Sequence, residues 1–500
     1  MSEPAHEEQH HVGRRLAVGL MGGGALATAF AAATAVPAQA APHFKHVANY
    51  AELRKFKTNG PMEPVLVLGV SEPDDGGVGF FRWDPEASTD DVDGGTVLAS
   101  DAGRGVWRRI DSFPDALDPR WFGCRADGDT DDTAAFQAAV AAALRLGRTL
   151  LLPRGRIRLT GVVTLPEEGE FRQLVIEGHG QQESELVLAG EGRLEFDLGK
   201  VLEFQTGHFV LRDLALRCES ADTVTALTVL FDREMGSTAQ TALIENVEIT
   251  GVSDATGPKV GMRLLDACAT RVRGARIQGV RSGYGDDSVG ILLQGNSIPV
   301  EIYISEVNAY FLHTAFKIDG EQGTRLEGIH FDKVAVVAAD YGIVARAKDE
   351  DQSLWVKVTG SHLNCTRGAI WVHNYLNVMF TENLIYGLPT GGDSVDYCGI
   401  SITGNAAWYM GHLSIVSNNT VVYMGASTAA RVGILVDGSD SEDTVLITGN
   451  VIGFMQRGIH LASGASRVAV ASTNLFRGDE ENVVDEGTDN VVAPDLASWF

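Results

Sequence analysis

Cysteine pairs at metal-ligand spacing are missing from this sequence, and so is any run of lysine and arginine. Its five cysteines, Cys124, Cys218, Cys268, Cys365 and Cys398, stand far apart with no C-x-x-C pair. An odd, scattered set excludes a zinc finger or a disulfide framework, and the thiols read as small buried hydrophobes. Proline is scarce, 15 residues against 57 glycines, while 44% of the chain is hydrophobic. That balance, with many short Val/Ile/Leu runs, excludes a disordered chain and points to a turn-rich all-β protein. Cations are outnumbered 40 to 66, for a formal net charge of −26. A field of that sign repels polyanions, so neither nucleic acid nor an anionic membrane surface is an expected partner. At 500 residues the chain is too long for one ordinary core, unless it is a repeat that grows in one dimension.

A long apolar run occurs near the start. A polar beginning leads to Arg14-Arg15, a Gly/Ala/Leu stretch reaching Val36, and Ala38-Gln39-Ala40. This is the three-part grammar of an export signal, and the paired arginines suit a twin-arginine route. A membrane anchor is the rival reading, opposed by the Gly and Ala content and the A-x-A site. Residues 1–40 are therefore set apart from the fold, the mature protein is expected to be secreted, and no stable membrane insertion is expected after processing.

Residues 41–112 form a distinct segment: a helical start at Tyr50–Lys55, apolar Val65–Gly69, then Gly79-Phe-Phe-Arg-Trp83 and Gly105-Val-Trp-Arg-Arg-Ile110. After it comes Trp121-Phe-Gly-Cys-Arg-Ala-Asp-Gly-Asp-Thr-Asp-Asp-Thr-Ala-Ala-Phe-Gln137, continued by Gly147–Pro153, Arg156–Leu159 and Leu174–Gly180. Asp131, Asp132 and Thr133 offer acceptors to the first free N–H groups of a helix over Ala134–Leu146, whose apolar stripe would cover the end of a solenoid. A calcium reading of Asp127-x-Asp129-x-Asp131 lacks the Gly and distal Glu of an EF-hand loop, so no metal or other cofactor is expected. The stretch resembles the opening of the pectate lyase superfamily domain, shared by polygalacturonase-related hydrolases, several lyases and tailspikes. Residues 41–112 in turn resemble the small β-rich module that precedes β-helices in tailspikes and related bacterial enzymes, a cap or docking piece.

From Val201 onward short apolar strands alternate with turns. Met379–Ile385, Ile415–Val421 and Leu446–Ile452 align with Asn383, Asn419 and Asn450 in the same place, each followed by a Gly-apolar strand at 398–402, 432–436 and 457–461. Turn asparagines stacking at periods of about 22–35 residues fit coils of a solenoid. Together with the resemblance they predict a single-stranded right-handed parallel β-helix over 113–500, with an N-terminal capping helix and a small β-rich module over 41–112. Homotrimers are what the resemblance implies for assembly.

The resemblance places acidic residues just before the Gly-apolar strands of central coils, facing a groove. Those positions hold Asp286 and Asp287, His313, Asp340, Arg367 and Asp396. Rungs repeat about every 4.8 Å, so carboxylates two rungs apart would lie roughly 10 Å apart, near the ~6.5–9.5 Å of inverting glycoside hydrolysis. Asp287 with Asp340, or Asp340 with Asp396, would then be acid and base on a polysaccharide. The Asn-Thr-Asp-Gly and Arg-Ile-Lys signatures of true polygalacturonases are missing, so pectin specificity is not implied. A lyase acting by β-elimination would instead draw a base and charge-neutralising cations from His313, Lys317, Arg346, Lys348 and Arg367. Tyr310, Tyr341, Trp371, Tyr375, Tyr397 and Trp408 are candidate sugar-stacking platforms under either chemistry, several of them packing residues. A non-catalytic adhesin or tailspike-like binder is the third reading, because the fold does not dictate the function. The negative field weighs against a densely charged uronic-acid polymer, although a cleft can differ in sign from the whole.

Overall fold

The computed structural model describes residues 45–57, 64–110, 115–167, 169–202, 207–220, 225–231, 241–295, 300–320, 327–347, 355–374, 377–389, 395–404, 413–425, 428–438 and 444–494. The export reading of residues 1–40 and the candidates Lys348, Tyr375 and Trp408 lie outside these. Among the described residues no helix is long and apolar enough to cross a membrane.

The chain is a right-handed parallel β-helix preceded by a small β module. Five mostly antiparallel strands between Lys45 and Ile110 form one sheet around a core of Tyr50, Leu53, Val65, Phe81, Leu98 and Trp107. From Ala116 on, thirty-five strands pair in parallel among the described residues, each with its counterpart one coil later. They fall on three faces in the order of the chain. In one central coil these are the strands Val300–Ser305, Asn308–Tyr310 and Thr314–Gly320. Inward side chains such as Ile304, Ala309, Phe316 and Ile318 stack into one continuous core, so each coil buries the apolar row of its neighbour and none is stable alone. All five cysteines are free and buried.

Helix α1 spans Tyr50–Lys55 and helix α2 spans Thr133–Leu146. The second lays Phe136, Ala139, Val140 and Ala143 into the core of the first coils. The expected division of labour at its start is corrected in one respect. Asp132 occupies the N-cap position but makes no cap bond; its buried carboxylate turns back to accept from the Arg125 and Ala126 N–H groups at 2.7 and 3.0 Å. Asp131 caps instead, accepting from the Thr133 N–H at 3.0 Å and from the hydroxyls of Thr133 and Thr160. These donors, with Thr133 first, pull its carboxyl down to about 2. Asp127 accepts from Asp129 and Thr130 of its own turn.

The asparagine ladder is present and longer than the three repeats suggest. Asn383, Asn419, Asn450 and Asn474 are all buried, and each of the first three donates its side-chain N–H to the Oδ1 of the next at 2.9–3.0 Å.

One buried carboxyl near the last coils is poorly served. Asp479 accepts from the Met455 N–H at 2.7 Å through Oδ1, while its Oδ2 is buried with no partner among the described residues. Burial pushes its pKa up from 3.8 to about 6. A carboxyl raised on folding contributes stability while protonated and loses it as pH climbs from about 3.8 through 6. Asp479→Asn keeps the acceptor and removes the charge, so thermal unfolding should show it roughly 1–3 kcal/mol more stable than wild type at pH 8. The gain should vanish at pH 4.

Candidate active site

The third face of the central coils is where the candidates gather. Between its strands and those of the second face the corners differ in length. The coil holding strand Val289–Gln294 is entered by the loop 279–288. Three tight corners follow it: 311–313, and two where strands Ala335–Ala347 and His362–His373 run on through the corner, the first with shifts in register around Ala339. Short corners after a long loop leave a notch, and the outward rows of the third face line it.

Pairing registers Thr314 with Tyr341, Tyr341 with Gly368, and Val289 with Thr314. The residues one place earlier, Ser288, His313, Asp340 and Arg367, therefore stack on successive rungs. Asp287 and Asp396 fall outside this row: Asp287 precedes Ser288, and because Gly368 pairs with Cys398 the place after Arg367 is taken by Tyr397, one residue beyond Asp396. The single column of aspartates expected from the sequence is replaced by a column of Ser, His, Asp and Arg.

Asp340 is its centre. Oδ2 meets His313 Nδ1 at 3.0 Å, and Oδ1 accepts from the Thr366 hydroxyl at 2.6 Å and the Tyr284 hydroxyl at 3.3 Å. The Arg367 Nε lies 4.0 Å from Oδ2. Burial pushes this carboxyl up, but the hydrogen bonds from His313 and Thr366 and the charges of His313 and Arg367 outweigh it and hold it below the usual range. Burial, reinforced by the Asp340 charge, raises the Tyr284 hydroxyl to about 12. The His313 backbone N–H donates to Ser288 Oγ at 2.8 Å, fixing the histidine on the rung above.

The other acidic candidates are spent elsewhere. Asp287 is 66% exposed against 17% for Asp340, and it is paired with Lys259, whose ammonium holds its carboxyl below the usual range. Asp286 is exposed, and Asp396 accepts from the Ala430 N–H at 3.0 Å. Lys317 projects outward, 3.7 Å from Asp319, and exposed Arg346 stands one rung below Asp319.

Aromatic rings carry the cluster into a groove of about 830 Å³ lined by Val344, Arg346, Trp371, His373, Ser401 and Leu435. His313 meets Tyr341 edge-on at 5.3 Å, and Tyr341 meets Trp371 likewise at 5.0 Å. Tyr397 is corrected: at 2% exposure its ring packs in the core against Tyr423, so it offers no face to a sugar. Tyr284 and Thr366 were not singled out by sequence. Both flank chosen residues, Thr366 beside Arg367 and Tyr284 in the loop that carries Asp286 and Asp287. Only folding the long loop over the corner brings Tyr284 to Asp340.

Residues 46–112 match the model of a family described as a phage tail protein small four-stranded β-sheet domain. Among solved structures, the A-module of a mannuronan C-5 epimerase from Azotobacter vinelandii superposes with a TM-score of 0.52 at 17% identity, over 76% of this chain and 99% of that one. An N-terminal fragment of gene product 12 of bacteriophage Phi29 gives a TM-score of 0.52 at 16% identity, over 76% of this chain and 71% of that one. At such identities the likeness is one of fold. No curated protein sequence matches the chain.

Proposed function

We propose that this protein processes a polysaccharide containing uronic acids, removing the proton alpha to a sugar carboxylate and cleaving the chain by β-elimination. The observation that carries the reading is the Asp340–His313 contact. With its Nδ1 proton held by a carboxylate, the imidazole keeps Nε2 as a base, and an ionised Asp340 stabilises the imidazolium once the proton has moved. Arg367, partly exposed beside the pair, is the cation for the charge that develops on the substrate carboxylate. Tyr284, whose raised hydroxyl stays protonated at neutral pH, is the candidate proton donor to the departing glycosidic oxygen. Trp371 and Tyr341 offer stacking faces beside it.

Paired-carboxylate hydrolysis is less well supported, because an inverting pair needs one carboxyl raised and protonated. Asp287 and Asp340 are both held below the usual range. The negative net charge argues against a polyanionic substrate at long range, but Lys317, Arg346 and Arg367 offer cations beside the notch.

Incubation with a panel of uronate and neutral polysaccharides, reading reducing ends and absorbance near 235 nm together, tests this. The expected result is both signals on a uronate polymer, with Asp287→Asn within about threefold of wild type because its side chain is solvated and already paired. Reducing ends without absorbance, abolished by Asp287→Asn, would establish the hydrolase instead. Silence on every polymer would favour a binding protein.

A further inference from the structure

A second cavity lies on the β module, outside the groove. It measures about 590 Å³ and is lined by Arg54, Lys55, Lys57 and Arg104, with Phe56 and Trp83 as its non-polar walls and Asp101 at its edge. Three pieces of chain build it: the last turn of α1 with the residues after it, the strand Gly79–Asp84, and the turn between strands Val97–Ala99 and Val106–Ile110. The Asp101 N–H donates to the Arg54 carbonyl at 3.0 Å and ties the turn to the helix end. Gly105 lets that turn close on the indole, since a Cβ there would come within 2.5 Å of the Trp83 ring. The Trp83 ring is braced from behind by Trp107 at 5.3 Å.

The charges in this cavity are out of keeping with the rest of the chain. Acids outnumber cations 66 to 40, and neighbouring arginines of the module are engaged: Arg108 with Asp84 and Asp91, Arg109 with Tyr50. The side chains of Arg54, Lys55, Lys57 and Arg104 form no ion pair or hydrogen bond among the described residues. The helix dipole accounts for Arg54 and Lys55, which sit in the last turn of α1. It does not account for Lys57 and Arg104. Four cations held together against their own repulsion, beside two flat rings, suit an anion attached to a body with a non-polar face.

We propose that this cavity is a non-catalytic holding site for a carboxylated sugar unit of an acidic glycan, the cations taking the carboxylate and Trp83 and Phe56 the ring face. The assignment goes beyond the groove chemistry and does not require it. On a long chain the site raises the effective concentration of polymer at the groove; on a short oligomer it has no such effect.

The test is retardation of the full-length protein in gels containing polygalacturonate, alginate or dextran, with mobility normalised to gels without polymer. Wild type should be retarded by a uronate polymer and not by dextran. Lys55→Ala/Arg104→Ala, and separately Lys57→Glu, should weaken that retardation by about tenfold while leaving turnover of a uronate trisaccharide and thermal unfolding unchanged. A groove variant, Lys317→Ala/Arg367→Ala, should keep most of it. The proposal is overturned if the module variants bind as wild type does, if only the groove variant loses binding, or if wild type binds no uronate polymer. It is overturned as well if inorganic phosphate alone competes for the site. Retardation without any product absorbance at 235 nm would sink the elimination reading and leave this one standing.

Discussion

His313→Ala lowers turnover of a uronate polymer by about 10³-fold, the middle of the range for a positioned general base. The reason is geometric. His313 is the imidazole hydrogen-bonded to Asp340, and its backbone is anchored to Ser288, so no neighbouring base takes its place. Asp340→Asn should fall by a comparable factor for a different reason: an amide can offer its N–H to Nδ1 and so favour the tautomer that leaves Nε2 protonated. The two losses should not add, since both disable one unit. Steady-state kinetics should place the effect in kcat, with KM changed little, because the pair acts on the proton in flight and not on the sugar in the ground state. A His313→Ala protein retaining a tenth of wild-type turnover would remove the histidine from the chemistry.

The largest loss of stability is expected at the middle of the asparagine ladder. Asn419 is fully buried; its Oδ1 accepts from the Asn383 backbone and side-chain N–H groups, and its Nδ2 donates to the Phe380 carbonyl and to Asn450. Asn419→Leu fills the volume but leaves these groups without that partner inside the core. At about 1–3 kcal/mol for each unsatisfied buried group, urea unfolding should show a loss of about 3–5 kcal/mol. Asn418 beside it is exposed at φ +56°, a conformation glycine adopts freely, so Asn418→Gly should stay within about 0.5 kcal/mol of wild type. Equal effects at 418 and 419 would mean that the ladder is incidental to stability.

The solenoid was legible because its signals are local and repeated. Apolar triplets and a small residue near the start of each third-face strand recur from coil to coil, turn asparagines recur in the later coils, and the opening motif adds the capping helix. Asn474 escaped because the strand after it, Leu475–Arg477, is three residues long and lies mostly outside the core. The site was legible in part. His313, Asp340 and Arg367 stood out by their place before a Gly-apolar strand, whereas Asp287 was aligned one residue out of register. Counting back from the small residue of each strand resolves it: two places before Gly290, Ala315, Gly342 and Ala369 stand Ser288, His313, Asp340 and Arg367. That small residue is a sound origin because its Cβ faces the next coil; a Cβ on Gly342 would meet the Ala369 carbonyl oxygen at 2.4 Å. Tyr284 and Thr366 act through a loop fold and a hydroxyl, which leave no periodic trace. Tyr397 misled because an aromatic beside a glycine reads alike whether it faces solvent or core.

Whether a proton leaves carbon is tested most directly by nuclear magnetic resonance of the uronate H-5 signal during reaction in deuterated water. H-5 intensity should be lost as product forms, with a new olefinic H-4 signal growing in step, and neither change should occur with His313→Ala. Chain shortening with every H-5 retained would contradict it.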